Sequence, residues 1–131
     1  AWELRTSSIM VIRIGSVVLS LSGVFALSLG LLFWSGRASN LIQLHMLFGF
    51  LVVGALCVVG TAQAFSHAGS WLIAACAVIV GALLLVLGMT QSSLMVGEFH
   101  WFIQVIHLLL GLIAIGIGHM AAARYRKGAG G

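Results

Sequence analysis

Two segments of the chain carry one pattern. "HMLFGFLVVG" occupies residues 45–54 and "HLLLGLIAIG" residues 107–116, and both read H-x-L-x-G-x-x-x-x-G. Each puts a histidine inside an apolar run with a glycine one turn further on, Gly49 after His45 and Gly111 after His107. A neutral imidazole offers one nitrogen lone pair to a metal and its other N–H to a neighbour. Ionisable side chains are rare in such runs, and their default reading is functional. A glycine beside the ring suits a flat ligand lying against the helix, and suits a close helix crossing equally well. Two such imidazoles on facing helices are the donor set for axial ligation of haem iron. His45 and His107 are then the metal ligands of one haem b, and Gly49 and Gly111 make room for it. Arg37, on the same side of the chain's fold, is the cation available to the propionates. Axial ligand, burial and nearby charge would set the redox potential.

The elements that must position this pair follow from composition. Of the 131 residues 62% are hydrophobic and 6% charged, with no proline, and the mean hydropathy is +1.22. A soluble domain carries about 25% charged residues, so a water-soluble fold is excluded, and with it catalysis on a large soluble substrate. Apolar runs of about 20 residues are transmembrane helix candidates. Four can be drawn, over about 9–34, 41–64, 71–90 and 100–122. The links "SGRASN", "FSHAGS" and "QSSLMVGEF" are short, and short links make neighbouring helices antiparallel. The expectation is an all-α membrane protein, a four-transmembrane-helix up-down bundle forming a single integral membrane domain over 1–131. The alternating pattern of a membrane β-barrel is missing.

Orientation follows from the flanks. Arg5, Arg13, Arg124, Arg126 and Lys127 fall on the side of the termini, and Arg37 alone on the other. Both termini are expected in the cytoplasm, with a bacterial inner membrane as the location. Arg13 lies inside the first span, where its long side chain can snorkel to the headgroups. These flanks account for the net charge of +4, so no nucleic-acid partner is expected. Read as a signal peptide, the N-terminal run is too long for the usual apolar core and lacks a clean cleavage site. Cys57 and Cys76 fall inside spans, as small apolar residues.

The histidine pattern belongs to a larger repeat. "GVFALSLG" (23–30) in the first span and "GALLLVLG" (81–88) in the third both read G-x-x-x-L-x-L-G. Gly30 to His45 is 15 residues and Gly88 to His107 is 19, so a four-residue change in one loop relates the halves. Two duplicated helical hairpins are expected, related by a pseudo-twofold axis along the membrane normal. His45 and His107 then lie at one depth, roughly 8–10 Å below the outer boundary. On the fourth span, positions 100, 104, 107, 111, 114 and 118 form one stripe of His, Gln, His, Gly, Ala and Gly. Polar and small residues on a membrane helix turn toward protein or cofactor rather than lipid.

With four helices, few charges and a transverse pair of histidines in "HMLFG" and "HLLLG", the chain resembles the small membrane b-type cytochromes, the cytochrome b561-like group among them. The resemblance implies ligand roles for His45 and His107 and electron transport within the membrane. Many members stack two haems. Here His119 follows His107 by twelve residues, which turns it about 120° away on an ideal helix and argues against a second haem near His119. His67 has no assigned role.

Beside the pair, His100, Glu98, Gln91 and Trp101 gather near the outer end of the fourth span. They could hydrogen-bond a quinone headgroup, or they form an interfacial belt, which the positional preference of Trp favours. Met46, Met89, Met95 and Met120 share no periodicity and read as packing. A zinc or copper site needs three or four convergent ligands, and no hydrolytic or transferase motif is visible. Two further readings stand beside the electron carrier. One is a cofactor-free accessory subunit packed on other membrane protein subunits of a larger complex, its histidines bonded to a carbonyl, Gln43 or Gln104. The other is a small transporter using the histidines as proton carriers.

Overall fold

The computed structural model describes residues 2–129 and, within them, all side chains but those of Trp2, Leu4 and Arg5. The charge counted at Arg5 therefore belongs to a side chain outside the described residues. Four helices account for almost everything: α1 (Trp2–Trp34), α2 (Ile42–Ala64), α3 (Trp71–Thr90) and α4 (His100–Ala129). All four are long and apolar enough to cross a bilayer. The chain is an integral membrane protein, an all-α up-down bundle. The starts and ends of α2 and α3 fall within a residue of those expected. α1 and α4 run further, to Trp2 and Ala129, because their charged ends lie beyond the apolar layer that hydropathy detects.

In lipid every backbone polar group must be satisfied within the chain, which favours uninterrupted helices. The hydroxyls follow the same rule. Ser16 donates to the Ile12 carbonyl at 2.7 Å, Thr61 to Cys57 at 2.7 Å and Thr90 to Val86 at 2.7 Å, each one turn back. The interior mixes small residues with large ones, Ala77, Ala114 and Ala121 being as fully buried as Leu19, Leu56 and Val59. Large side chains such as Ile14, Leu21, Leu72 and Val86 face outward, 58–74% exposed. That outward apolar surface matches helices packed in a lipid solvent.

α1 packs on α2, α2 on α3, α3 on α4, and α1 closes the ring on α4, while α2 also meets α4 across the diagonal. One interhelical contact repeats between the two hairpins. A Cβ on Gly23 of α1 would meet Ile115 of α4 at 2.8 Å, and one on Gly81 of α3 would meet Val53 of α2 at 3.1 Å. Exchanging the two hairpins turns the first contact into the second. Both loops at the histidine end also reverse through two left-handed residues, Gly36 and Ala38 in one, Met95 and Gly97 in the other.

The α2–α3 turn, at the end that holds the termini, is pinned from inside. Gln63 is fully buried. Its amide donates to the carbonyls of Gly60 (2.9 Å) and Ser70 (2.7 Å), and its Oε1 accepts from the Ser70 N–H (3.1 Å). Ser70 in turn caps α3 by accepting from the Ile73 N–H at 3.4 Å. Arg124 Nε donates to the Ala68 carbonyl at 2.8 Å, tying α4 to the same turn.

Candidate functional site

The two histidines meet. His45 on α2 and His107 on α4 have ring centroids 6.2 Å apart, with planes inclined at 59°. Their Nδ1 atoms are buried and make no hydrogen bond of ordinary geometry, although the Ala26 backbone approaches the His45 ring. A buried polar atom without a partner costs about 1–3 kcal/mol and asks for an explanation. Two such atoms, on helices that run in the same direction, point to a ligand between them.

Each ring rests on a glycine of its own hairpin. A Cβ on Gly30 of α1 would stand 3.5 Å from His45 Cε1, and one on Gly88 of α3 would stand 3.0 Å from His107 Cε1. The closing glycines of the G-x-x-x-L-x-L-G repeats are thus seats for the imidazoles, a role invisible in spacing alone. Gly49 and Gly111 behave differently. A Cβ on either would meet nothing within 4 Å, so they are not close helix crossings. Of the two uses open to them, room for a ligand is the one this space allows.

That space is a cavity of about 320 Å³ bordered by all four helices, and it holds both histidines with Gly30, Gly49, Gly88 and Gly111. Its size lies in the range of ordinary small-molecule sites, about 300–1,000 Å³. On the α4 stripe, His100, Gln104, His107 and Gly111 line it, whereas Ala114 is packed in the core below and Gly118 against Leu19. Phe33, Met46 and Met89 also border it. The sequence offered little to single out Phe33, and the two methionines looked like packing because their periodicity differs.

The cavity's mouth differs between the two hairpins. On the first hairpin the wall is apolar, with Phe33, Trp34 and Ile42, and Phe33 stands edge-on to His45 at 5.3 Å. In register with them on the second hairpin are Gln91, Ser92 and Gln104, which also line the cavity. His100 adds to that polar wall, its Nδ1 donating to the Leu94 carbonyl at 3.1 Å. No Asp, Glu, Lys or Arg lines the cavity among the described residues.

The remaining candidates are scattered. Arg37 is exposed in the loop after α1, outside the lining. Of the outer cluster, Gln91 and His100 border the cavity, while Glu98 is exposed and Trp101 stacks edge-on against Phe102 at 5.9 Å, half in the open. His119 faces Ser20 of α1, Nε2 to Oγ 3.4 Å, and His67 is exposed in the α2–α3 turn.

A metal group held by this site must supply most of its own ligands, because no set of three His, Cys, Asp or Glu converges among the described residues. Comparison with protein-family models, with curated proteins and with solved structures gives no match, so the site rests on its own geometry.

Proposed function

We propose that the chain is a membrane electron carrier that holds one haem b between α2 and α4 through His45 and His107. The observation that carries the reading is the His45–His107 pair, 6.2 Å apart with both Nδ1 atoms buried and making no hydrogen bond of ordinary geometry. The donor set fits: two buried neutral imidazoles, which would hold the iron of a haem that brings its remaining ligands with it. When bound, it would supply reversible one-electron chemistry at a potential tuned by ligand, burial and nearby charge. The chain's own residues do the rest. His45 and His107 would hold the iron, Gly30 and Gly88 make room for the two rings, and Gly49 and Gly111 keep the flanking space open. Leu27, Leu31, Leu84 and Leu85 wall the cavity and exclude water. The polar wall of Gln91, Ser92, Gln104 and His100 is where the acidic edge of such a ligand finds hydrogen bonds, in place of Arg37.

The apolar helices place the pair inside a lipid bilayer, which supports a lipid-soluble carrier of the quinone class or another membrane subunit as the electron's partner. The excess of Lys and Arg at the end that holds the termini supports a cytoplasmic location for both, and a bacterial inner membrane accommodates such a carrier.

A reduced-minus-oxidised spectrum of the protein purified from haem-supplied cells tests the reading. A sharp b-type alpha band and one pyridine-extractable haem per chain are expected. A colourless protein with no extractable haem overturns it.

A further inference from the structure

The end of the bundle that holds the termini carries a second hollow. It lies between α1 and α4, has a volume of about 350 Å³, and is lined by Ile9, Ile12, Arg13, Tyr125, Arg126 and Ala129. Its back is closed by the core, since Ile12 and Tyr125 are 2% and 7% exposed. Its front carries two guanidinium groups, one from each helix.

Among the described residues these two cations have no counter-ion. Neither Arg13 nor Arg126 makes a hydrogen bond or ion pair with any described residue, whereas their neighbour Arg124 is committed to the Ala68 carbonyl. The chain has two acidic residues, Glu3 and Glu98. Glu98 is in the loop at the other end. Glu3 precedes Arg13 by ten residues, about 15 Å along the helix. Two like charges facing one groove repel unless an anion joins them.

The depth of the groove says which anion. Arg13 lies 21 residues before Trp34, the last residue of α1. At 1.5 Å per residue that is about 32 Å, one hydrocarbon thickness. With Trp34 at one interface, Arg13 stands at the headgroup level of the other. A guanidinium fork matches phosphate oxygens, and basic hollows between membrane helices suit anionic headgroups.

We infer that the α1–α4 groove is a binding site for an anionic phospholipid, whose phosphate is held jointly by Arg13 and Arg126. The site is independent of the histidine cavity and of any cofactor.

Thermal unfolding of the purified protein in neutral detergent tests this, with phosphatidylglycerol, phosphatidylcholine or inorganic phosphate added. Phosphatidylglycerol at tenfold its Kd should raise Tm by about 5 °C, and phosphatidylcholine should not. Arg13→Gln/Arg126→Gln should lose that rise, and Lys127→Gln, which removes a charge from the same end but not from the groove, should keep it. Native mass spectrometry should show one retained phosphatidylglycerol on the wild type and none on the double variant. An equal rise in the double variant, or with phosphatidylcholine, overturns the site. The full rise from inorganic phosphate alone overturns the lipid assignment.

Discussion

Gly88 of α3 faces the Cε1 edge of the His107 ring: a Cβ there would stand 3.0 Å from Cε1, 3.8 Å from Nε2 and 3.9 Å from Nδ1. Its counterpart Gly30 leaves half an ångström more beside His45. The two hairpins therefore share one construction at different tightness, and substitutions can read the difference.

Gly88→Ala must displace the His107 ring by a few tenths of an ångström. Overpacking of this kind costs about 1–3 kcal/mol, against roughly 0.5–1 kcal/mol gained by removing a helical glycine. We expect a lower haem content and a shifted spectrum. Gly30→Ala places its methyl at ordinary contact distance and should bind haem like the wild type, with equal or higher thermal stability. Absorption and melting of the two variants side by side check this. Equal damage from both would contradict it.

His45→Ala and His107→Ala should each abolish the low-spin spectrum, because one axial position is then empty. His119→Ala should leave it intact, since His119 is turned to Ser20 on α1. Bleaching on loss of His119 alone would move the ligand assignment elsewhere.

Gly111→Leu tests the cavity rather than the ligands. A Cβ at Gly111 meets nothing within 4 Å, so the larger side chain enters open space and the bundle should keep its fold. Haem content should fall at least about tenfold, the scale of a contact worth 1.4 kcal/mol. The melting temperature of the haem-free protein should hold or rise, because the filled space replaces a void. A variant that unfolds would show that the space is not the open cavity described.

Gln63→Leu addresses the opposite end. It strands the Ser70 N–H and the Ser70 and Gly60 carbonyls in a buried turn, at about 1–3 kcal/mol. Melting should drop by several degrees while the spectrum of bound haem stays unchanged. A spectral change would mean that the turn and the cavity are coupled through α2.

The bundle itself was written in the composition. Spans 41–64 and 71–90 match α2 and α3 because an apolar run ends where its helix leaves the bilayer. The meeting of His45 with His107 was legible too, since each falls near the loop-side start of its helix, on helices that run in the same direction. The roles of the glycines were not. Gly30, Gly49, Gly88 and Gly111 look alike in a sequence, and only helix rotation separates a seat for a ring from open space. The polar wall was hidden for a related reason: Gln91 and Ser92 fall where α3 gives way to its loop, and Gln104 reads as one member of a stripe. Opposite Phe33, Trp34 and Ile42 they make one side of the cavity polar, a relation that exists only once the two halves are superposed.

His45 lies three residues into α2 and His107 seven into α4, about 5 and 10 Å below the helix starts at the loop end. An electron travelling from that face to a centre between them crosses at most about a third of a 30 Å apolar layer. At a transmembrane voltage of 100 mV the step involves no more than about 0.8 kcal/mol per charge. Exchange at that face is nearly indifferent to whether the membrane is energised. If the proposed centre is bound there, traffic with the opposite face would cross most of the voltage, and traffic with the loop face only a small part of it.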